Sequence, residues 1–183
     1  MRRWFEEIET GKPNIISSRI RLARNWSEYV FPSRLSAEAS AEVVERLHRG
    51  LLDLGELDDR TYVYAGLDEL SELDLRALKE RRILNSSILA KKSPVGLMLS
   101  EKEDVSLVLN GTDHIRLQVL SAGVHLNECY QTAERIDDYI NARFPYAFDD
   151  KYGYLTSFPT NVGTGLRASV IIHLPSLSLG KKF

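Results

Sequence analysis

The stretch Phe158-Pro159-Thr160-Asn161-Val162-Gly163-Thr164-Gly165-Leu166-Arg167-Ala168-Ser169 sets two glycines, two residues apart, ahead of an arginine and a largely apolar run over 170–174. Glycine permits tight turns and close backbone approach, and an arginine held just beyond it presents a fixed charge with several donors. The stretch therefore reads in two ways: a glycine-rich turn entering a buried strand, or a loop holding a phosphate beside a strand. No lysine follows the glycines as a P-loop requires, and the third glycine of a dinucleotide fingerprint is absent. The rest of the chain has to decide between the two.

The composition narrows the partners. At 183 residues, with 43% hydrophobic and 27% charged side chains, the chain suits one domain with a sizeable core. A formal net charge of −2 gives no global attraction to nucleic acid or an anionic membrane, so any anion site must be built from locally placed arginines. Cys129 is the single cysteine, which excludes an internal disulfide and suits a reducing compartment. The acidic start at Glu6 and Glu7 does not read as a secretory signal, and no stretch approaches the ~18 apolar residues of a membrane span. The expectation is a soluble, cytoplasmic protein.

Periodicity predicts a helix over 36–54, with Ser36 as N-cap, Val44, Leu47 and Leu51 as its apolar stripe and Gly55 as its stop. A second helix is expected over 71–82, with Leu75 and Leu78 on one face. A third is expected over 126–144, where Leu126, Tyr130, Ala133, Ile136 and Ile140 recur at helical spacing before Pro145. Strands are expected over 61–66, 96–100, 104–109, 115–120 and 166–174, and the short polar turns among the middle three suggest an antiparallel meander. Strands and helices without regular alternation make an α+β fold.

Arginines recur where strands would aim them. In Ser17-Ser18-Arg19-Ile20-Arg21-Leu22-Ala23-Arg24-Asn25, the period of two places Arg19 and Arg21 on one face and Ile20 and Leu22 on the other. Arg116 and Gln118 alternate likewise with Ile115, Leu117 and Val119, and Arg167 leads the last strand. A solvated strand face accounts for each arginine singly. Several converging on one pocket would repel each other unless an anion lay among them, and a polyphosphate matches their paired donors.

S-S-R-I-R-L-A-R-N at 17–25, N-G-T-D-H-I-R at 110–116, G-Y-L-T-S at 153–157 and P-T-N-V-G-T-G-L-R-A-S at 159–169 together resemble the ATP:guanido phosphotransferase family. The family includes creatine and arginine kinases, and the resemblance is closest to its bacterial protein-arginine kinase branch. It implies an antiparallel sheet flanked by helices with ATP and Mg2+ as cofactors, ATP lying across the sheet. By motif position it makes Arg19, Arg21, Arg116 and Arg167 the ligands of the nucleotide phosphates. The family reaction moves the γ-phosphoryl group to a guanidinium nitrogen, in the bacterial branch that of a protein arginine. Such arginines would neutralise and align the transferring group.

The chain departs from the family pattern where the acceptor would be activated. A guanidinium is protonated in water and needs adjacent carboxylates, which the family supplies as two consecutive glutamates before Asp-His; here they are Gly111 and Thr112. Loss of a general base typically costs about 10²–10⁴-fold in rate. Asp113 persists, but on an extended segment it would face away, and it is expected to cap a turn. The family usually has a cysteine before P-T-N, and here Phe158 stands there. Cys129, on the predicted helix, reads as a small core residue. Where the bacterial branch tends to have a histidine near the nucleotide, the chain has Arg82, read as a solvated helix end, with a phosphate or base contact as the other possibility. The family's R-G-x-x-G-E segment does not occur, and the chain ends at Gly180-Lys181-Lys182-Phe183 as a helix begins. The expectation is a single domain over 1–183 that is C-terminally incomplete, with a sheet edge and apolar surface left uncovered.

The remaining candidates are structural. His48, His114, His125 and His173 show no metal spacing, with His114 expected to hydrogen-bond locally. Asp137-Asp138 and Asp149-Asp150 read as solvated pairs, and Trp4 and Trp26 as anchors of the N-terminal segment. No catalytic or metal-binding residue is assigned. Three functional readings follow: a nucleotide-binding guanidino-kinase fold with phosphotransfer lost or weak; an active protein-arginine kinase using substitute groups; and a non-catalytic module that modulates a full-length arginine kinase or its adaptor. An inert gene fragment stands behind all three.

Overall fold

The computed structural model describes residues 3–7 and 14–180, so the expected helix start at the chain end falls partly on Lys181 to Phe183, outside the described residues. Its centre is a six-stranded antiparallel sheet built from β1 (Ile15–Arg24), β2 (Tyr62–Gly66), β3 (Gly96–Ser100), β4 (Val105–Leu109), β5 (Ile115–Ala122) and β8 (Leu166–Ile172). The spatial order is β2-β3-β4-β5-β1-β8, so the expected meander forms one half of the sheet and β1 inserts between β5 and β8. A two-stranded hairpin, β6 (Phe148–Asp149) and β7 (Gly153–Tyr154), precedes the glycine-rich loop.

Period-two alternation divides the sheet into two unlike faces. On one, Ile20, Leu22, Met98, Leu107 and Leu117 pack against Val43 and Leu47 of α1 (Ala37–Gly50) and Cys129, Ala133, Ile136 and Ile140 of α5 (Leu126–Arg143). On the other, Leu97 and Val108 are covered by Leu78, Ile83, Leu84 and Ile88, supplied by α3 (Glu72–Glu80), α4 (Ser86–Leu89) and the turn between them. That cover extends over the meander half. Beyond it, the same face carries Arg116 and Gln118 of β5, Arg19 and Arg21 of β1, and Arg167 and Ser169 of β8.

The ends of the helices follow local chemistry. Ser36 Oγ accepts from Ala39 N, and Ser71 forms a capping box with Asp74, each cap stabilising its helix by about 1 kcal/mol. The first helix stops at Gly50, earlier than periodicity suggests, and position 50 has to be glycine because the Phe144 ring packs where a Cβ would lie. The chain then turns through the buried Leu51 into α2 (Leu54–Asp58), which starts at the buried Leu54 and contains Gly55, the stop expected for the first helix. On α5, Tyr130 faces outward and bonds Glu134; the buried stripe runs through Cys129 instead. β8 ends at Ile172, and α6 (Pro175–Leu179) follows it. β8 is an edge strand, and Ile172, Leu174, Leu177 and Leu179 are exposed along it and the helix.

Candidate functional site

Strand register brings the predicted arginines together. Arg21 lies opposite Gln118 on β5 and opposite Arg167 on β8; Arg19 lies opposite Ser169 and Arg116 opposite Ala23. All four arginines therefore share the polar sheet face. Arg21, Arg116 and Arg167 line a cleft with Asn85, Thr112, Asp113, Phe158, Asn161 and Gly165. A second depression, sharing Arg21, Arg116 and Asn85 with the first, continues past Arg19 and Gln118 to Lys79, Glu80 and Arg82.

The arrangement is electrostatically unbalanced. Among the described residues no carboxylate lies within ion-pair distance of Arg19, Arg21, Arg116 or Arg167. The Nε–H groups of Arg21 and Arg116 are buried without a hydrogen-bond partner. Arg19 is held by one bond from Nε to Ser169 Oγ at 3.1 Å, and Arg116 by a bond from Nη2 to the Ile83 carbonyl. Burial, then repulsion from Arg21, Arg82 and Arg167, brings the Arg19 guanidinium down to about 10. Burial and repulsion from Arg21 and Arg19 likewise bring Arg116 to about 10, and Arg21 is lowered by burial and Arg167. An anion here would relieve each of these penalties at once.

The glycine-rich loop acts by placing Arg167. Gly163 N–H donates to Tyr154 O, so this amide is already engaged and does not face an anion. Gly165 has φ +61°, its carbonyl accepts from Ala23 N at 2.9 Å, and a Cβ there would stand 2.4 Å from an Arg24 nitrogen. Gly165 is thus required for close backbone approach between loop and strand, whereas Gly163, where an added Cβ would meet no atom nearer than 4.0 Å, is required for its φ of +110°. Arg24 points to the opposite sheet face, where its guanidinium donates to Asp137 at 2.8 Å and lies 3.7 Å from the centre of the Tyr154 ring. Asp137 is accordingly buried and paired, unlike the solvated residue its sequence context suggests; burial raises its carboxyl, opposed by Arg24 and Tyr146.

The other motifs meet through side chains that the sequence reading left minor. Asp113 Oδ1 accepts from Asn25 Nδ2 and from Ser157 N, both at 2.7 Å. Asn25 also accepts from His114 N and donates to Leu155 O, while Ser157 Oγ donates to Thr112 O. Asp113 therefore ties together three motifs and does more than cap a turn. His114 Nδ1 accepts from Trp26 N, and burial brings the imidazole down to about 4, so it is a neutral core group near pH 7. Cys129 is buried and its thiol is pushed up to about 11, chiefly by burial, consistent with a core role.

The two replaced positions are not equivalent. Gly111 faces the second apolar cluster, where a Cβ would lie 3.1 Å from Val108 and 3.6 Å from Ile88. Thr112 lines the cleft beside Phe158, which is half exposed. This end of the cleft thus holds a hydroxyl and a phenyl ring, and its only carboxylate among the described residues, Asp113, is engaged by two donors. Among the described residues no group of three or more histidine, cysteine or acidic side chains is placed to hold a metal ion. Sequence reading placed Gln118 beside Arg116 on the polar face but missed Asn85, Asn161 and Lys79 as lining residues; Asn161 lies in a quoted motif, whereas Asn85 and Lys79 lie outside every motif.

Comparison with known proteins agrees with this geometry. The family model for the ATP:guanido phosphotransferase C-terminal catalytic domain matches residues 42–183. The protein-arginine kinase of Clostridium tetani is 38% identical over 182 residues, covering 100% of this chain and 52% of that protein. That of Geobacillus stearothermophilus is 41% identical over 177 residues, covering 96% of this chain and 48% of that protein. The chain thus spans about half the length of these curated relatives. Among solved structures, the duplicated taurocyamine kinase from Schistosoma mansoni with bound transition-state-analogue components matches 95% of this chain and 25% of its own at a TM-score of 0.82 and 27% identity. A lombricine kinase structure matches 97% of this chain and 53% of its own at a TM-score of 0.73; at 21% identity it shows the shared fold alone. Four motifs in order, an arginine-bearing antiparallel sheet and these matches establish that the chain belongs to the ATP:guanido phosphotransferase family.

Proposed function

We propose that the arginine face binds the phosphates of ATP or ADP, and that transfer to a guanidinium is lost or severely weakened in this chain. The observation carrying the first part is the group of Arg19, Arg21, Arg116 and Arg167 on one sheet face without a paired carboxylate, two of them with buried, partnerless Nε–H groups. Magnesium fits as the nucleotide's own counterion, held by phosphate oxygens. The second part rests on Thr112 and Phe158 at the acceptor end. Neither side chain is a base near neutral pH, and an arginine acceptor entering there would stay protonated.

Titration calorimetry with ATP and ADP tests the first part. Arg167→Ala and Arg116→Ala should each weaken binding about tenfold or more, the loss of a charge-assisted contact. Absence of any binding heat or thermal shift would sink the reading. The second part predicts no phosphoarginine by mass spectrometry after incubation with ATP and an arginine-rich protein. Abundant phosphoarginine, abolished by Arg116→Ala, would establish an active protein-arginine kinase instead. A second reading, a module docking on a full-length arginine kinase, is favoured by the exposed Ile172, Leu174, Leu177 and Leu179. Co-purification with such a kinase irrespective of ATP would support it.

A further inference from the structure

The cationic surface does not end where the four motif arginines end. The turn after α3 sends its two arginines in opposite directions. Arg81 pairs with Glu103 at 2.8 Å, whereas Arg82 adopts φ +64° and lines the depression that holds Arg19. A left-handed conformation at a non-glycine residue carries a cost and persists only where its surroundings impose it. Here they do so from two sides. Ile83 and Leu84 are buried in the second apolar cluster, and β5 side chains hold the turn from the sheet. Gln118 Nε2 donates to Arg82 O at 3.0 Å, and Arg116 donates to Ile83 O.

Arg82 forms no ion pair among the described residues, and it is close enough to Arg19 to repel its charge. Lys79 lines the same end. Glu80 is its one acidic lining residue among the described residues. The cations thus run without a break from Arg167 through Arg21, Arg116 and Arg19 to Arg82 and Lys79. Among the described residues lining this path, Phe158 is the only aromatic one, and it lies at the opposite end from Arg82. A surface of this kind has many donors for phosphate oxygens and, among the described residues at its Arg82 end, no ring on which a base would stack.

We propose that the site takes a linear polyphosphate chain as its ligand class, the phosphates carrying the affinity and the nucleoside contributing little. This rests on the reading that the arginine face binds nucleotide phosphates. Arg82 and Lys79 extend that phosphate row, and the fixed turn preorganises Arg82 to meet the chain.

Calorimetry at fixed ionic strength, with ATP, ADP, adenosine, inorganic tripolyphosphate, longer linear polyphosphate and polyglutamate as probes, tests this. Tripolyphosphate should bind within about threefold of ATP, and the longer chain about tenfold more tightly than ADP. Arg82→Ala should reduce the preference for the chain over ADP by about tenfold, and Arg82→Lys should restore much of it. ATP binding at least about tenfold more tightly than tripolyphosphate would overturn the inference, because the base would then carry affinity. So would an Arg82→Ala variant with an unchanged preference, or polyglutamate binding as well as the phosphate chain. In those cases ATP still binds and the nucleotide reading stands; if no phosphate compound binds, both readings fail together.

Discussion

A single side chain illustrates what burial does to charge in this protein. His114 is buried with Nδ1 accepting from Trp26 N, and its folded-state value of about 4 lies below the ordinary 6.5. Between those values the unfolded chain binds more protons than the folded one, so stability falls as pH drops from 6.5 toward 4. The loss should be of the order of 3 kcal/mol, read by urea denaturation across that range, and a His114→Gln variant should lose that part of the slope. Arg21 shows the reverse situation, a charge kept where it is disfavoured. Arg21→Gln should raise the melting temperature of the ligand-free protein by about 2–4 °C while weakening nucleotide binding. A lower melting temperature together with unaltered binding would contradict the assignment. The residue scale was only partly legible: the resemblance singled out Gly111 and Thr112 together, but only packing shows that position 111 faces Ile88 and position 112 faces the cleft.

At the scale of elements, β1 joins core and site. Its alternation sends Arg19 and Arg21 to the polar face while Ile20, Leu22 and Arg24 go to the other. Arg24 is an exception on an apolar face, made possible by Asp137 of α5, the Ala23 and Thr164 carbonyls and the Tyr154 ring. Asp137→Ala would leave a buried guanidinium without its counterion and should cost about 3–5 kcal/mol, measured by chemical denaturation. A cost near zero would mean that water reaches Arg24 and that the pair is dispensable. Alternation made β1 readable from the chain, and helical spacing did the same for α1 and α5. Neither rule reveals that Arg24 finds Asp137, since the two are 113 residues apart. The need for glycine at position 50 escaped for the same reason: the ring that excludes a Cβ there belongs to Phe144.

At the scale of the whole molecule, charge is organised against its net value. The chain is slightly acidic overall, yet one half of one sheet face gathers Arg19, Arg21, Arg116 and Arg167. That face stays open because α3, α4 and their turn cover only the meander half. A ligand that binds there only in the folded state should stabilise by mass action. ADP at one hundred times its dissociation constant should add about 2.7 kcal/mol, seen as a concentration-dependent melting temperature. The gain should shrink as ionic strength rises, because the exposed part of the cluster is screened. An ADP effect indifferent to salt would place binding elsewhere.

The sequence by itself determined the classes of element, the α+β architecture, the family and the four arginines, because periodicity, capping and motif order are local or linear properties of a chain. Tertiary structure alone decided that Arg21 sits between Gln118 and Arg167, that Asn25 and Asp113 tie the motifs together, and that Arg82 turns toward Arg19. It also decided that Gly165 serves close packing and Gly163 a left-handed turn, so that the loop presents Arg167 and not its own Gly163 amide. These outcomes depend on strand register and on which helix covers which half of a sheet. They involve pairs of residues distant in sequence, for which local patterns carry no information.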